Sequence, residues 1–111
     1  MNDAAKKYLY DIEKSIDSVA LHLRGINDFN QFSRNLTVKR AVEREFEIIG
    51  EAINQLKAVE PEIKIPDTRK IIAMRNRIIH GYDSVDDTII WNVVIKDMPV
   101  LKCEIEKLMR G

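Results

Sequence analysis

Arg75, Asn76, His80 and Tyr82 bring a cation, an amide, an imidazole and a phenol together in the run Arg75-Asn76-Arg77-Ile78-Ile79-His80-Gly81-Tyr82. An imidazole titrates near neutrality and can move a proton. A guanidinium can hold the charge that develops on a phosphorus centre. Asn76 can orient either the phosphate or the imidazole, and Arg69 and Arg77 can contact neighbouring phosphates. The set suits cleavage of an RNA phosphodiester by its own 2′-hydroxyl. Other chemistries find little to work with. The chain has no glycine-rich phosphate loop, and its two isolated histidines and single cysteine form no metal-ligand spacing. No serine or cysteine stands in a nucleophile signature beside a histidine. Neither a metal nor a cofactor is expected.

These residues need a helix to hold them. The spacing predicts one over Ile65 to His80, with side chains turning by about 100° per residue. Setting Arg75 at zero, Ile71, Ile78, Met74, Thr68, Ile79 and Ile72 fall on either side of it, so Arg75 is expected mid-stripe on the apolar face. A guanidinium there is costly unless it is paired or lines a polar cleft. Asn76, His80 and Arg69 share one flank. Gly81 reads as the helix stop, leaving Tyr82 on a turn. Taken singly, each residue has a plainer reading. A histidine in a last turn suits the helix dipole, a tyrosine after a cap glycine is its apolar partner, and an asparagine fills surface. Packing alone does not ask for Arg75, and the four together favour a site.

The rest of the chain reads as the frame. Ala4 to Ile26 forms a first long helix with Leu9, Ile12, Ile16, Val19, Leu23 and Ile26 as its stripe. His22 lies off that stripe and reads as a surface residue without a partner. Asn27 and Asp28 offer a turn or an N-cap, followed by a short helical connection over Phe29 to Phe32. Leu36 to Val59 is the second long helix, with Thr37 as its cap and Val42, Phe46, Ile49, Ile53 and Leu56 as its core face. Arg40, Glu43, Arg44, Glu47, Glu51 and Asn54 fill the opposite arc, either as a solvated face or as a source of a carboxylate for Arg75, Glu47 and Glu51 being the candidates. Gly50 sits mid-helix, where it costs about 1 kcal/mol relative to alanine, and the close approach of another helix would explain it.

Pro66 and Asp67 open the motif helix. Tyr82 to Val85 is a turn, and Asp86 or Asp87 caps the fourth helix. Ile89 to Ile95 is rich in β-branched residues but has no strand partner, so it reads as buried helix. Asp97 and Pro99 mark a kink or fresh start, and Leu101, Ile105 and Leu108 space a final core face. The whole is an all-α, up-and-down bundle of four to five helices, in one domain over 1–111.

Composition narrows the setting. The 111 residues carry zero formal net charge, which argues against general nucleic-acid affinity. Locally, Lys64, Arg69, Lys70, Arg75 and Arg77 stand against the single acid Asp67, a run that coincides with the motif. The lone Cys103 cannot form an internal disulfide, which suits a reducing cytoplasm. No apolar run approaches the roughly 20 residues of a membrane span, and the first residues lack a signal-peptide core.

Arg75-Asn76, three residues, His80, one residue and Tyr82 resembles the R-N-x-x-x-H-x-Y motif of the HepT family of HEPN-domain proteins. Ala41-Val42-Glu43-Arg44 and Ile48-Ile49-Gly50-Glu51-Ala52 are similar to that family's second-helix signature, and the resemblance runs from about Lys6 to Leu108. It implies a metal-independent endoribonuclease with Arg75, Asn76 and His80 at the catalytic site, acting as a homodimer with the motif at the subunit interface. The chemistry also asks for a dimer, since it needs an acid and a base while each chain supplies one suitable histidine. The resemblance further implies a toxin whose partner, an MntA-type nucleotidyltransferase, silences it by adding AMP to Tyr82. A second reading is a HEPN binding module that docks such a transferase, or holds a nucleotide, without cutting RNA.

Overall fold

The computed structural model of the chain describes residues 1–66, 68–80 and 86–111. Asp67, Gly81, Tyr82 and the turn expected over 82–85 lie outside the described residues. The elements are α1 (Asp3–His22), α2 (Phe29–Arg34), α3 (Leu36–Val59), α4 (Arg69–His80), α5 (Asp87–Asn92) and α6 (Met98–Arg110), with a π-helical turn over Val93–Asp97 joining the last two. Counting α5, the π turn and α6 together, the described residues form five helical pieces and no strand, an all-α bundle.

α1 and α3 are the central pair. Asn2 caps α1, its side chain accepting from the Ala5 amide, while its own amide and side-chain nitrogen donate to Glu60 and Val59 at the far end of α3. Ser15 meets Glu45 further along, so the two helices run antiparallel. Their shared stripe, Leu9, Ile12, Ile16 and Val19 against Val42, Phe46, Ile49, Ile53 and Leu56, is buried. α1 ends at His22 rather than Ile26, because Gly25 at φ +85° turns the chain through the left-handed region that other side chains resist. Leu23 and Ile26 still pack on the core from that turn.

α2 is capped by Asp28, whose side chain accepts from the Gln31 amide. Asn35, not Thr37, caps α3: its extended backbone and its carboxamide oxygen, 3.0 Å from the Val38 nitrogen, meet the requirements of a cap, whereas Thr37 already lies inside the first turn. Asp86 caps α5 by accepting from the Thr88 amide. Asp87 ties that helix back to α2 and α3, lying 3.1 Å from both the Ser33 hydroxyl and the Lys39 ammonium. Phe32 and Trp91 pack beside them with ring centroids 5.3 Å apart.

The β-branched run over 89–95 is helical. It is amphipathic rather than wholly buried: Ile90, Val93 and Val94 face the core, while Ile89 and Ile95 are exposed. Before α6 starts at Met98 with Pro99 in its first turn, the chain widens into the π turn, in which the Met98 amide donates to the Val93 carbonyl five residues back. Pro99, which has no amide hydrogen, then falls in the first turn of α6, where none is needed. Leu101 and Ile105 are buried, and Lys102 reaches Asp17 on α1 at 3.0 Å. No helix among the described residues is long and apolar enough to cross a membrane.

Candidate active site

α4 begins at Arg69 rather than Ile65. Ile65 is a buried residue of the connection, and the first bond of the helix runs from the Ile72 amide to the Thr68 carbonyl. Thr68 is itself buried, with its hydroxyl 3.0 Å from the Lys57 ammonium near the end of α3. Together with the Gly50–Arg75 contact, this pair sets α4 antiparallel to α3.

Arg75 is half-buried within the apolar stripe: Ile71 and Met74 are buried on one side of it, and on the other Thr68 is buried and Ile72 packs on the core, while Ile79 near the helix end is 49% exposed. The neighbouring helix makes room for it. α4 rests against α3 where Gly50 offers no side chain: a Cβ built there would lie 2.6 Å from both Cβ and Cγ of Arg75 and 3.2 Å from its Cδ. The arginine stem crosses α3 over that gap and carries its head to the next residue, Glu51. Arg75 Nη2 donates to Glu51 Oε2 at 2.6 Å, and Nη1 donates to Asn76 Oδ1 at 3.0 Å. Nε is buried and has no acceptor among the described residues. Of the two candidate carboxylates for this arginine, Glu51 reaches it, while Glu47 pairs with Arg44 at 2.8 Å one turn earlier on α3.

The structure thus gathers Arg75, Asn76 and Glu51. His80 is exposed at the end of α4, one turn beyond Asn76. Five residues along a helix put it about 140° round and about 7.5 Å up from Arg75, so the two side chains leave well-separated sides of α4 rather than one face. Arg69 and Arg77 are not drawn in. Arg69 lines a cavity of 790 Å³ with Lys57, Thr68, Lys70 and Asp97, and Arg77 lines another, of 350 Å³, with Met74, Ile89 and Val93.

A second polar cluster lies outside what the sequence led us to expect. His22, expected at the surface without a partner, donates Nε2–H to Glu45 Oε2 at 2.7 Å, and the Ser15 hydroxyl donates to Oε1 of the same carboxylate at 2.7 Å. The Glu45 side chain is only 13% exposed, so these bonds offset its desolvation and cross-link α1 to α3. The available signal was the seven-residue spacing of Ser15 and His22, which puts both on one flank of α1 facing α3.

Known proteins share this sequence along nearly its whole length. The ribonuclease HepT-like family matches residues 12–108, and the chain belongs to that family. It is 36% identical over 103 residues to a candidate RNase of Methanocaldococcus jannaschii, covering 91% of this chain and 93% of that one. It is 37% identical to a candidate ribonuclease HepT of Thermococcus cleftensis, over 99% of this chain and all of the relative. A candidate RNase of Caldanaerobacter subterraneus subsp. tengcongensis is 31% identical, over 95% of this chain and 94% of that protein. No solved structure matches.

Proposed function

We propose that the protein is a ribonuclease that cleaves RNA without a metal, by attack of a ribose 2′-hydroxyl on the adjacent phosphorus. The observation that carries the reading is the guanidinium of Arg75, held by Glu51 and Asn76 on the helix that ends in His80. In this scheme the 2′-oxygen bonds to phosphorus as its proton passes to one imidazole. The 5′-oxygen departs with a proton from another, leaving a cyclic phosphate and a free 5′-hydroxyl. Arg75 stabilises the added negative charge. One His80 per chain makes a two-fold dimer the simplest source of both proton carriers. The exposure of Ile79 on the same helix supports a face that takes a partner.

In the cell the protein would act as the cytoplasmic toxin of a toxin–antitoxin pair, and a partner nucleotidyltransferase would silence it by placing AMP on Tyr82. Arg69 and Arg77 would hold flanking phosphates of the RNA. The test is RNA cleavage by purified protein in EDTA. Parent protein should cut, whereas Arg75→Ala and His80→Ala should be inactive with unchanged helical content; a His80→Ala protein that cuts at the parental rate removes the mechanism. One observation favours a second reading, a docking module without nuclease activity: Glu51 already neutralises Arg75. On that reading the purified parent protein cuts no RNA yet binds the transferase.

A further inference from the structure

We infer that Gly50 and Glu51 of α3 form a seat that positions Arg75, so that Gly50 controls the turnover of the site without touching substrate. The inference rests on the catalytic role proposed for Arg75. In an open helix position, glycine to alanine stabilises, because alanine has the higher helix propensity. Here the added methyl has no room. Carbon atoms pack best at about 3.5–4.0 Å, and an alanine Cβ at position 50 would lie 2.6 Å from Cβ and Cγ of Arg75. Arg75 Cβ is fixed by the α4 backbone, so no change of rotamer relieves that contact. Relief requires α4 to withdraw from α3 by on the order of 1 Å. The guanidinium would withdraw with it, away from Glu51, whose Oε2 now stands 2.6 Å from Nη2. A displacement of that size at a group stabilising a transition state can cost roughly 100-fold in rate.

The seat has two parts with different effects. Gly50 sets how near the arginine stem approaches, and it is buried. Glu51 sets the direction of the head group, and its side chain is 50% exposed, so it can be altered without opening a cavity. Arg75 Nε–H, buried and without an acceptor among the described residues, is a spectroscopic reporter of the arrangement.

The experiment compares parent, Gly50→Ala, Glu51→Gln, Arg75→Ala and the exposed control Asn54→Ala by steady-state RNA cleavage and by NMR of arginine Nε–H groups. The Arg75 signal is assigned from its loss in Arg75→Ala. Gly50→Ala should lower kcat by about 100-fold with KM little changed and should shift the Arg75 Nε–H resonance. Glu51→Gln should give a smaller loss of kcat, and Asn54→Ala should match the parent. Arg75→Ala without cleavage, beside a folded Gly50→Ala that retains parental kcat, overturns the seat alone. Arg75→Ala with parental cleavage overturns the proposed catalytic role instead. Should Gly50→Ala fail to fold, the double change Gly50→Ala with Arg75→Gly removes the Cβ and Cγ that the new methyl would meet. Recovery of the helical circular dichroism then assigns the defect to this contact, and no recovery overturns the inference.

Discussion

At the scale of single residues, the site is a matter of what each polar group already touches. Arg75 is 22% exposed and spends two of its donors on Glu51 and Asn76, so it is held in place before any ligand arrives. Asn76 steadies the guanidinium through its Oδ1. The proposed chemistry gives the Tyr82 hydroxyl no proton to move. Tyr82→Phe is expected to keep most RNA cleavage while escaping the proposed partner transferase, and co-expression followed by mass spectrometry of the peptide that holds position 82 checks it. An adenylate on a different side chain would take this tyrosine out of the control step. Elsewhere, Lys102 has its pKa raised by the hydrogen bond and charge of Asp17. A raised lysine stabilises the fold below its unfolded value, ordinarily 10.5, and that help disappears as pH rises through the folded value. The difference in melting temperature between parent and Lys102→Met should thus shrink once the pH exceeds about 10.5. Because the pair is exposed, the difference at neutral pH should be small.

At the scale of elements, α1 and α3 supply the rigid surface and α4 lies on it. Phe46 of α3 is fully buried in the core. Phe46→Ala should cost about 3–5 kcal/mol, the usual range for removing a core aromatic, and denaturant unfolding measures it. Asn35→Ala removes the cap of α3 and should cost about 1 kcal/mol. Gly25 presents a purer backbone effect. Nothing lies within 4 Å of a Cβ built there, so Gly25→Ala meets no clash and should lose only the roughly 1–2 kcal/mol of left-handed strain. The contrast with Gly50 is instructive: one glycine is needed for its φ angle, the other for the space above it.

At the scale of the whole molecule, the proposed reaction needs two proton carriers and each chain contributes one at this site. The protein is therefore expected to sediment at twice its 12.9 kDa mass under assay conditions. Mixing parent with His80→Ala chains should then lower activity below the share of parent chains present, since a heterodimer holds only one of the two imidazoles the reaction needs. A purely monomeric sedimentation profile in active samples would count against a shared site. The exposed Ile79 gives a second handle: Ile79→Lys should weaken association and cleavage together if this face is the contact.

Periodicity alone determined the helical class, the core faces of the two long helices and the end of α3 at Val59, because a stripe of apolar residues must be buried whatever covers it. Residue type and spacing also isolated Arg75, Asn76 and His80 and marked Gly50 as a place of close approach. What periodicity could not decide was which neighbour each flank would meet. Arg75 fits within the apolar stripe because α3 offers a missing side chain and then a carboxylate in consecutive positions. Glu51 rather than Glu47 answers it, and Arg44 takes the other. His22 finds Glu45 only because α1 and α3 run antiparallel in this register. The π turn before Pro99 belongs to the same class, since a helix can stop, kink or widen at a proline. Here it widens, and α5 and α6 follow one another through the π turn, with Val93 and Val94 facing the core at the junction.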